Sequence, residues 1–301
     1  MTKIIFYLKL FIRGDSTLTK IKIKIIGDPG QHNVGLIKMW LENSLKKLNV
    51  FPTEVYLAFI KNIQQIEMIY RRFTKTFENL SFLESSIVKE MVFVQLRSTA
   101  YIPKQQRRKG KPPIILIKQD SRISENDLLD EVAHIKEEEN GWDKIKVDAL
   151  TLFAEDYGVT LETPTWLCFS LRLKAEIFDF FSSELMCQYG LANELFFEKQ
   201  RILNIWIREF FPYKGESKIQ DFNIIMIAAF HVTLPPSYPR KEDEKKLEEM
   251  IINYVHSMSM EPLYQKIKSI VSKLESPPKV ANIYKCSAEI IKLAQDFLEK
   301  Q

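Results

Sequence analysis

Histidine and cysteine are scarce in this chain, at four and three among 301 residues. Cys168, Cys187 and Cys286 lie too far apart for metal-ligand spacing, which excludes a cysteine-rich cluster. Two of them, Cys168 and Cys187, fall inside apolar helical patterns, so reduced, buried thiols in a cytoplasmic protein are expected. Long hydrophobic runs are also missing. No segment approaches the ~20 apolar residues of a membrane span, so no membrane partner is expected. Ile4 to Ile12 is interrupted by Lys9 and has no small-residue cleavage site after it, so it reads as a strand or an extension. Charge is nearly balanced, and a net of +4 is too small to require nucleic acid. Glycine is sparse, and Gly27-Asp28-Pro29-Gly30 is followed by no Gly-Lys-Ser/Thr. Pro29 also removes a backbone donor that a phosphate loop needs. What is present is 46% hydrophobic and 27% charged residues, enough to bury a core, with no internal repeat.

The first third alternates strand and helix signals. Lys20 to Ile26 alternates basic and apolar residues, as a strand with one exposed face does, and Gly27 to Gly30 ends it. Val34 to Leu48 reads as an amphipathic helix, Val55 to Ile60 as a buried strand and Ile63 to Leu80 as a helix. Met91 to Leu96 and Pro113 to Lys118 are further strands. Together they predict a small mixed sheet flanked by helices. From residue 124 the chain is nearly all helix, so the fold class is α+β. Leu234 to Pro239 breaks the helical run and marks a boundary between a domain at 1–240 and a helical extension at 241–301. In that extension Leu247, Ile251 and Val255, then Ile267 and Ile270, then Ile290 and Ile291 predict three helices.

Chemistry-bearing residues concentrate between 113 and 194. After the turn Gln119 to Ser124, Ser124-Glu125-Asn126-Asp127 predicts a capping box. Leu128, Leu129, Val132, Ala133 and Ile135 then supply an apolar helix face. The same helix carries Asp130-Glu131-Val132-Ala133-His134. Residues four apart project from one side of a helix, so Asp130 and His134 can grip one ion. Glu131, one residue on, can reach a water bound to that ion. His32, His231 and His256 lie outside any ligand spacing. Thr163-Pro164-Thr165-Trp166 opens a later helix through Leu173, Ile177, Phe181 and Leu185, which bears Glu184 and Gln188. The plain alternative makes Asp130, Glu131 and Glu184 solvated helix positions, with Lys136 to Asn140 the exposed end of a helix.

Asp130 to His134 resembles the His-Glu-x-x-His helix of zincin-like metallopeptidases, with the first histidine replaced by aspartate. Strand, turn and motif helix in that order are similar to the edge strand and active-site helix of that family. The resemblance covers about 113–194 and implies a zincin-like fold. It implies Asp130 and His134 as metal ligands, Glu131 as general base, and a third ligand on the later helix. Glu184 fits a Glu-x-x-x-Asp pattern in which Gln188 replaces the supporting aspartate; alternatively, position 188 itself is the ligand position. Under either alignment one carboxylate is lost. Aspartate binds zinc at about 2.0–2.2 Å, but it is shorter than histidine and anionic. With a second carboxylate it neutralises the dication and leaves the pKa of a bound water higher. Zinc is therefore expected to be held weakly or not at all.

The function so implied is a metallopeptidase homologue with a degenerate site, weakly active or inactive, that binds a protein or peptide partner. One alternative is an active metal-dependent peptidase with Glu131 as base. Another is a helical interaction protein that meets nucleic acid or a ribonucleoprotein through the basic loop 103–111. No aromatic residues interleave with the charges of that loop, so a mobile, solvated hairpin tip is favoured over nucleic acid as its role.

Overall fold

A computed structural model describes residues 5–7, 21–76, 78, 89, 96, 98–156 and 164–299. The chain divides into two compact units, Met1–Asp143 and Lys144–Gln301. The boundary expected at 240 falls inside the second unit.

The first unit is built on a five-stranded sheet. Its strands are Ile5–Tyr7 (β1), Lys22–Ile26 (β2), Glu54–Ile60 (β3), Thr99–Tyr101 (β4) and Ile114–Lys118 (β5), in the order β1-β2-β3-β5-β4. The central trio β2, β3 and β5 is parallel, and β1 and β4 run antiparallel at the edges. Parallel neighbours need crossovers, and the helix Val34–Lys47 (α1) supplies the one between β2 and β3. Asn33 caps α1 by accepting from the Leu36 N–H, and Asn62 caps Ile63–Phe73 (α2) in the same way from Gln65. Gly27 ends β2 with φ +85°, where a Cβ would meet the Phe59 carbonyl oxygen at 2.6 Å. Only glycine fits there.

Period-two alternation assigns the two faces of the sheet. Ala58, Ile60, Ile114 and Leu116 pack with Ile66, Ile69, Tyr70 and Phe73 of α2. The opposite face carries Val55, Leu57, Ile115 and Ile117, all buried to completion. The helix Glu125–Glu139 (α3) packs along α1 and against β4. β5 is thus internal, not the edge strand that its position before the motif helix suggested. The edge beside α3 is β4. The predicted helix 63–80 ends at Phe73, because Thr74 is extended and bridges to Arg107; the predicted strand Met91 to Leu96 lies outside the described residues, apart from Leu96.

The helix Trp142–Asp156 (α4) leads into the second unit, which is helical throughout its described residues. Its further elements are Pro164–Gln188 (α5), Ala192–Ile205 (α6), Lys218–Val232 (α7), Glu242–Ser257 (α8), Glu261–Val271 (α9) and Val280–Glu299 (α10). The last three match the helices predicted after residue 241. Helix α7 is buried on all sides from Ile224 to Val232 and packs against α5, α6, α8, α9 and α10. Such a helix belongs at the centre of a bundle. Trp206, also fully buried, donates its indole N–H to the Ile224 carbonyl at 2.7 Å. Among the described residues no helix is long and apolar enough to cross a membrane.

Candidate functional site

Both arms of the predicted capping box are formed. The Ser124 hydroxyl accepts from the Asp127 N–H at 3.3 Å, and an Asp127 carboxylate oxygen accepts from the Ser124 N–H at 2.7 Å. Asp127 also receives the Ser98 hydroxyl at 2.8 Å, which ties the start of α3 to the chain entering β4. Glu125 and Asp127 in the first turn and Lys136 in the last complement the helix dipole. The helix so fixed carries Asp130 and His134 one turn apart on one side. Asp130 is half-buried. Glu131 is 6% exposed, so it is not the solvated position of the plain alternative.

His134 is held from two directions. Its Nδ1 lies 2.8 Å from Oε2 of Glu137, whose side chain is 1% exposed. Its ring stacks on Tyr101 of β4, with centroids 5.9 Å apart and planes 11° from parallel. A carboxylate on Nδ1 fixes the ring and its tautomer. Asp130 and His134 thus fit a metal as a pair of donors from one helix.

Tyr101 links this histidine to the basic loop. Its hydroxyl donates to Glu138, which also accepts the Lys104 N–H at 2.7 Å and the Arg107 guanidinium. Arg107 Cζ lies 5.6 Å from the centre of the Tyr101 ring. Burial, and then the negative charge of Glu138, hold the Tyr101 phenol well above its ordinary pKa. Burial likewise raises the Glu138 carboxyl, against the opposing pull of Arg107. The predicted exposed end of the helix is therefore partly buried, because Glu137 and Glu138 turn inward while Glu139 stays in solvent.

The loop 103–111 is not solvated throughout. Arg107 is 3% exposed and paired with Glu138. The Lys75 N–H donates to the Gln106 carbonyl and the Arg108 N–H to the Phe73 carbonyl, both at 2.8 Å. Gln105 reaches Asp143. Lys104, Lys109 and Lys111 remain exposed.

Glu184 and Gln188 belong to the second unit, where both are engaged. Glu184 is fully buried, which corrects its reading as an ordinary exposed helix residue. One of its oxygens accepts the Ser237 N–H at 3.0 Å, and the other takes the Ser237 hydroxyl and, at 2.8 Å, the Gln188 amide. Gln188 also donates to the Ser276 hydroxyl at 3.0 Å. This carboxylate ties α5 to the turn after α7, and three hydrogen bonds already occupy most of its acceptor capacity.

Sequence reasoning passed over Tyr101, Glu137, Glu138 and Arg107. Only Glu137 had a local signal, three residues after His134 on the same helix. The sequence matches no protein-family model, no curated protein and no solved structure.

Proposed function

We propose that this chain is a zincin-like protein with a degenerate metal site, weakly active or inactive as a peptidase, that holds an extended peptide. The observation that carries the reading is Tyr101. It sits on the edge strand and stacks on His134, the one histidine of the motif. The strand nearest the motif helix borders the substrate cleft in zincins, and the contact of β4 with α3 supports that role for β4.

Backbone geometry makes β4 suitable for the task. The Ser98 carbonyl accepts from Lys118, and the Ile102 N–H donates to Ile114. Main-chain groups alternate in direction along an antiparallel strand, so those of Thr99 and Tyr101 point away from β5. Among the described residues no backbone group pairs with them. An added strand gains affinity from such an edge.

Zinc held by Asp130 and His134 would supply Lewis acidity to a bound water, reduced by the negative charge of Asp130. Glu131 would serve as the base for that water. Engagement of Glu184 by Ser237 and Gln188 argues against a full ligand set, which favours binding over turnover.

Elemental analysis of protein purified without added metal tests the reading. Well under one zinc per chain is expected, with Asp130→His raising zinc affinity and peptidase activity staying near background. One firmly held zinc with Glu131-dependent cleavage would establish the active-peptidase alternative instead. If neither Asp130→His nor His134→Ala alters zinc binding, α3 carries no metal site.

A further inference from the structure

We infer that the peptide taken by β4 is acidic, and that Lys104, Lys109 and Lys111 select it. The inference rests on the reading of β4 as a peptide-binding edge and adds the chemistry of the occupant. Four cationic side chains and Arg107 are packed into one loop that continues directly from β4, but they do not share one fate. Arg107 is spent on Glu138 inside the protein. Arg108 pairs with Glu78 at 2.9 Å and reaches the Arg71 carbonyl. Lys104, Lys109 and Lys111 are exposed, and none of them pairs with a carboxylate among the described residues. Lys111 is exposed, and its Nζ lies over the Phe73 ring at 5.6 Å from the centroid, a contact that involves no carboxylate.

Position matters as much as charge. The Lys104 N–H is fixed on Glu138, three residues beyond Tyr101. Bonds to Phe73 and Lys75 hold the rest of the loop. The lysines are therefore presented from an anchored loop at one end of an edge that is unpaired among the described residues. A strand added to β4 runs out past Lys104, where its side chains meet uncompensated positive charge. Acidic residues at that end gain attraction that neutral ones lack, and opposite charges also speed encounter. Single-stranded nucleic acid shares the charge but finds no aromatic stacking platform among these lysines. An edge of outward N–H and C=O groups also suits a peptide main chain.

The test uses the full chain and fluorescence anisotropy. The probe is a labelled peptide of alternating threonine and valine with a run of glutamates at one end. Controls are the same peptide with glutamine for glutamate, both peptides N-methylated at alternate residues, and a labelled single-stranded oligonucleotide. The glutamate peptide should bind about tenfold more tightly than the glutamine peptide in low salt, as a few exposed ion pairs allow. Added salt should close that gap. N-methylation should weaken both peptides by removing strand pairing. Combined Lys104→Glu, Lys109→Glu and Lys111→Glu should abolish the preference while leaving the glutamine peptide unchanged. Salt dependence and N-methylation need no variant, so misfolding of the triple variant would not hide the answer. Equal binding of the two peptides overturns the acidic inference and leaves the β4 reading standing. Absence of binding by either peptide sinks both. Glutamate-dependent binding that ignores N-methylation also overturns the inference, because the lysines would then act without the strand. Tighter binding of the oligonucleotide than of the glutamate peptide assigns the lysines to nucleic acid.

Discussion

Oε2 of Glu137 lies 2.8 Å from Nδ1 of His134, one turn along the same helix. A carboxylate on Nδ1 holds the ring and raises the basicity of the imidazole as a metal ligand. Glu137→Gln keeps the size of the side chain but removes the charge. Zinc affinity, measured by competition with a chromogenic chelator, should fall about tenfold in this variant and vanish in His134→Ala. The test has most range in the Asp130→His background, where affinity is expected to be higher. An unchanged affinity in Glu137→Gln would mean that His134 is not the ligand, or that Glu137 serves only to pack the helix.

Tyr101 offers a second test, through its titration. Its folded-state pKa is raised, first by burial and then by Glu138, above the ordinary value of 10.0. A raised phenol contributes stability that is fully present below the unfolded value near 10. That contribution is lost as pH climbs from there through the folded value. Absorbance titration of the native protein should show tyrosines that stay protonated above pH 10, and Tyr101→Phe should remove one from that group. The variant should also lose less stability than the wild type as pH rises above 10. If all tyrosines of the native protein ionise near pH 10, the buried link to Glu138 is wrong.

How far the sequence reveals this arrangement depends on the range of the interactions. Alternation at 20–26, the apolar run 55–60 and the box at Ser124 are local patterns, and each produced the element expected of it. β4 has three residues, Thr99 to Tyr101, too few for a period to register. Its place at the sheet edge follows from pairing with β5, which no local pattern encodes. Arg107 and Glu138 are 31 residues apart, and each sits in a charge run that looks solvated. Ser237 and Glu184 are 53 apart. The motif helix was legible because its signals lie within a few turns. The contacts that fix what it does were not, because they are made by folding.

The Arg107–Glu138 pair yields a stability prediction. Both side chains are nearly buried, at 3% and 8% exposure. Removing one partner strands the other charge, which costs about 3–5 kcal/mol in comparable buried pairs. Arg107→Ala should lower the urea midpoint strongly and speed amide exchange across 103–111. Replacing both residues by apolar ones, as in Arg107→Met with Glu138→Leu, should recover much of the loss, since neither charge is then left alone. A loss below about 1 kcal/mol in Arg107→Ala would place the pair in solvent.

Glu184 separates a structural carboxylate from a metal ligand. Its oxygens take the Ser237 N–H, the Ser237 hydroxyl and the Gln188 amide, and the residue is fully buried. Removing a group that satisfies buried donors costs about 1–3 kcal/mol for each donor left unpaired. Glu184→Ala should therefore destabilise the protein markedly in urea, Ser237→Ala by less, since its backbone N–H can still donate. Gln188→Asp would restore the carboxylate of the Glu-x-x-x-Asp pattern, but in this fold it replaces a donor facing Glu184 by a second acid. Gln188→Asp should thus remove one bond to Glu184 and destabilise the protein in urea by less than Glu184→Ala, since position 188 is exposed. Zinc affinity should be indifferent to Glu184→Gln and Gln188→Asp once the folded fraction is accounted for. A drop in affinity with Glu184→Gln, or a rise with Gln188→Asp, would return the third-ligand role to this helix and make the site less eroded than its internal bonds suggest.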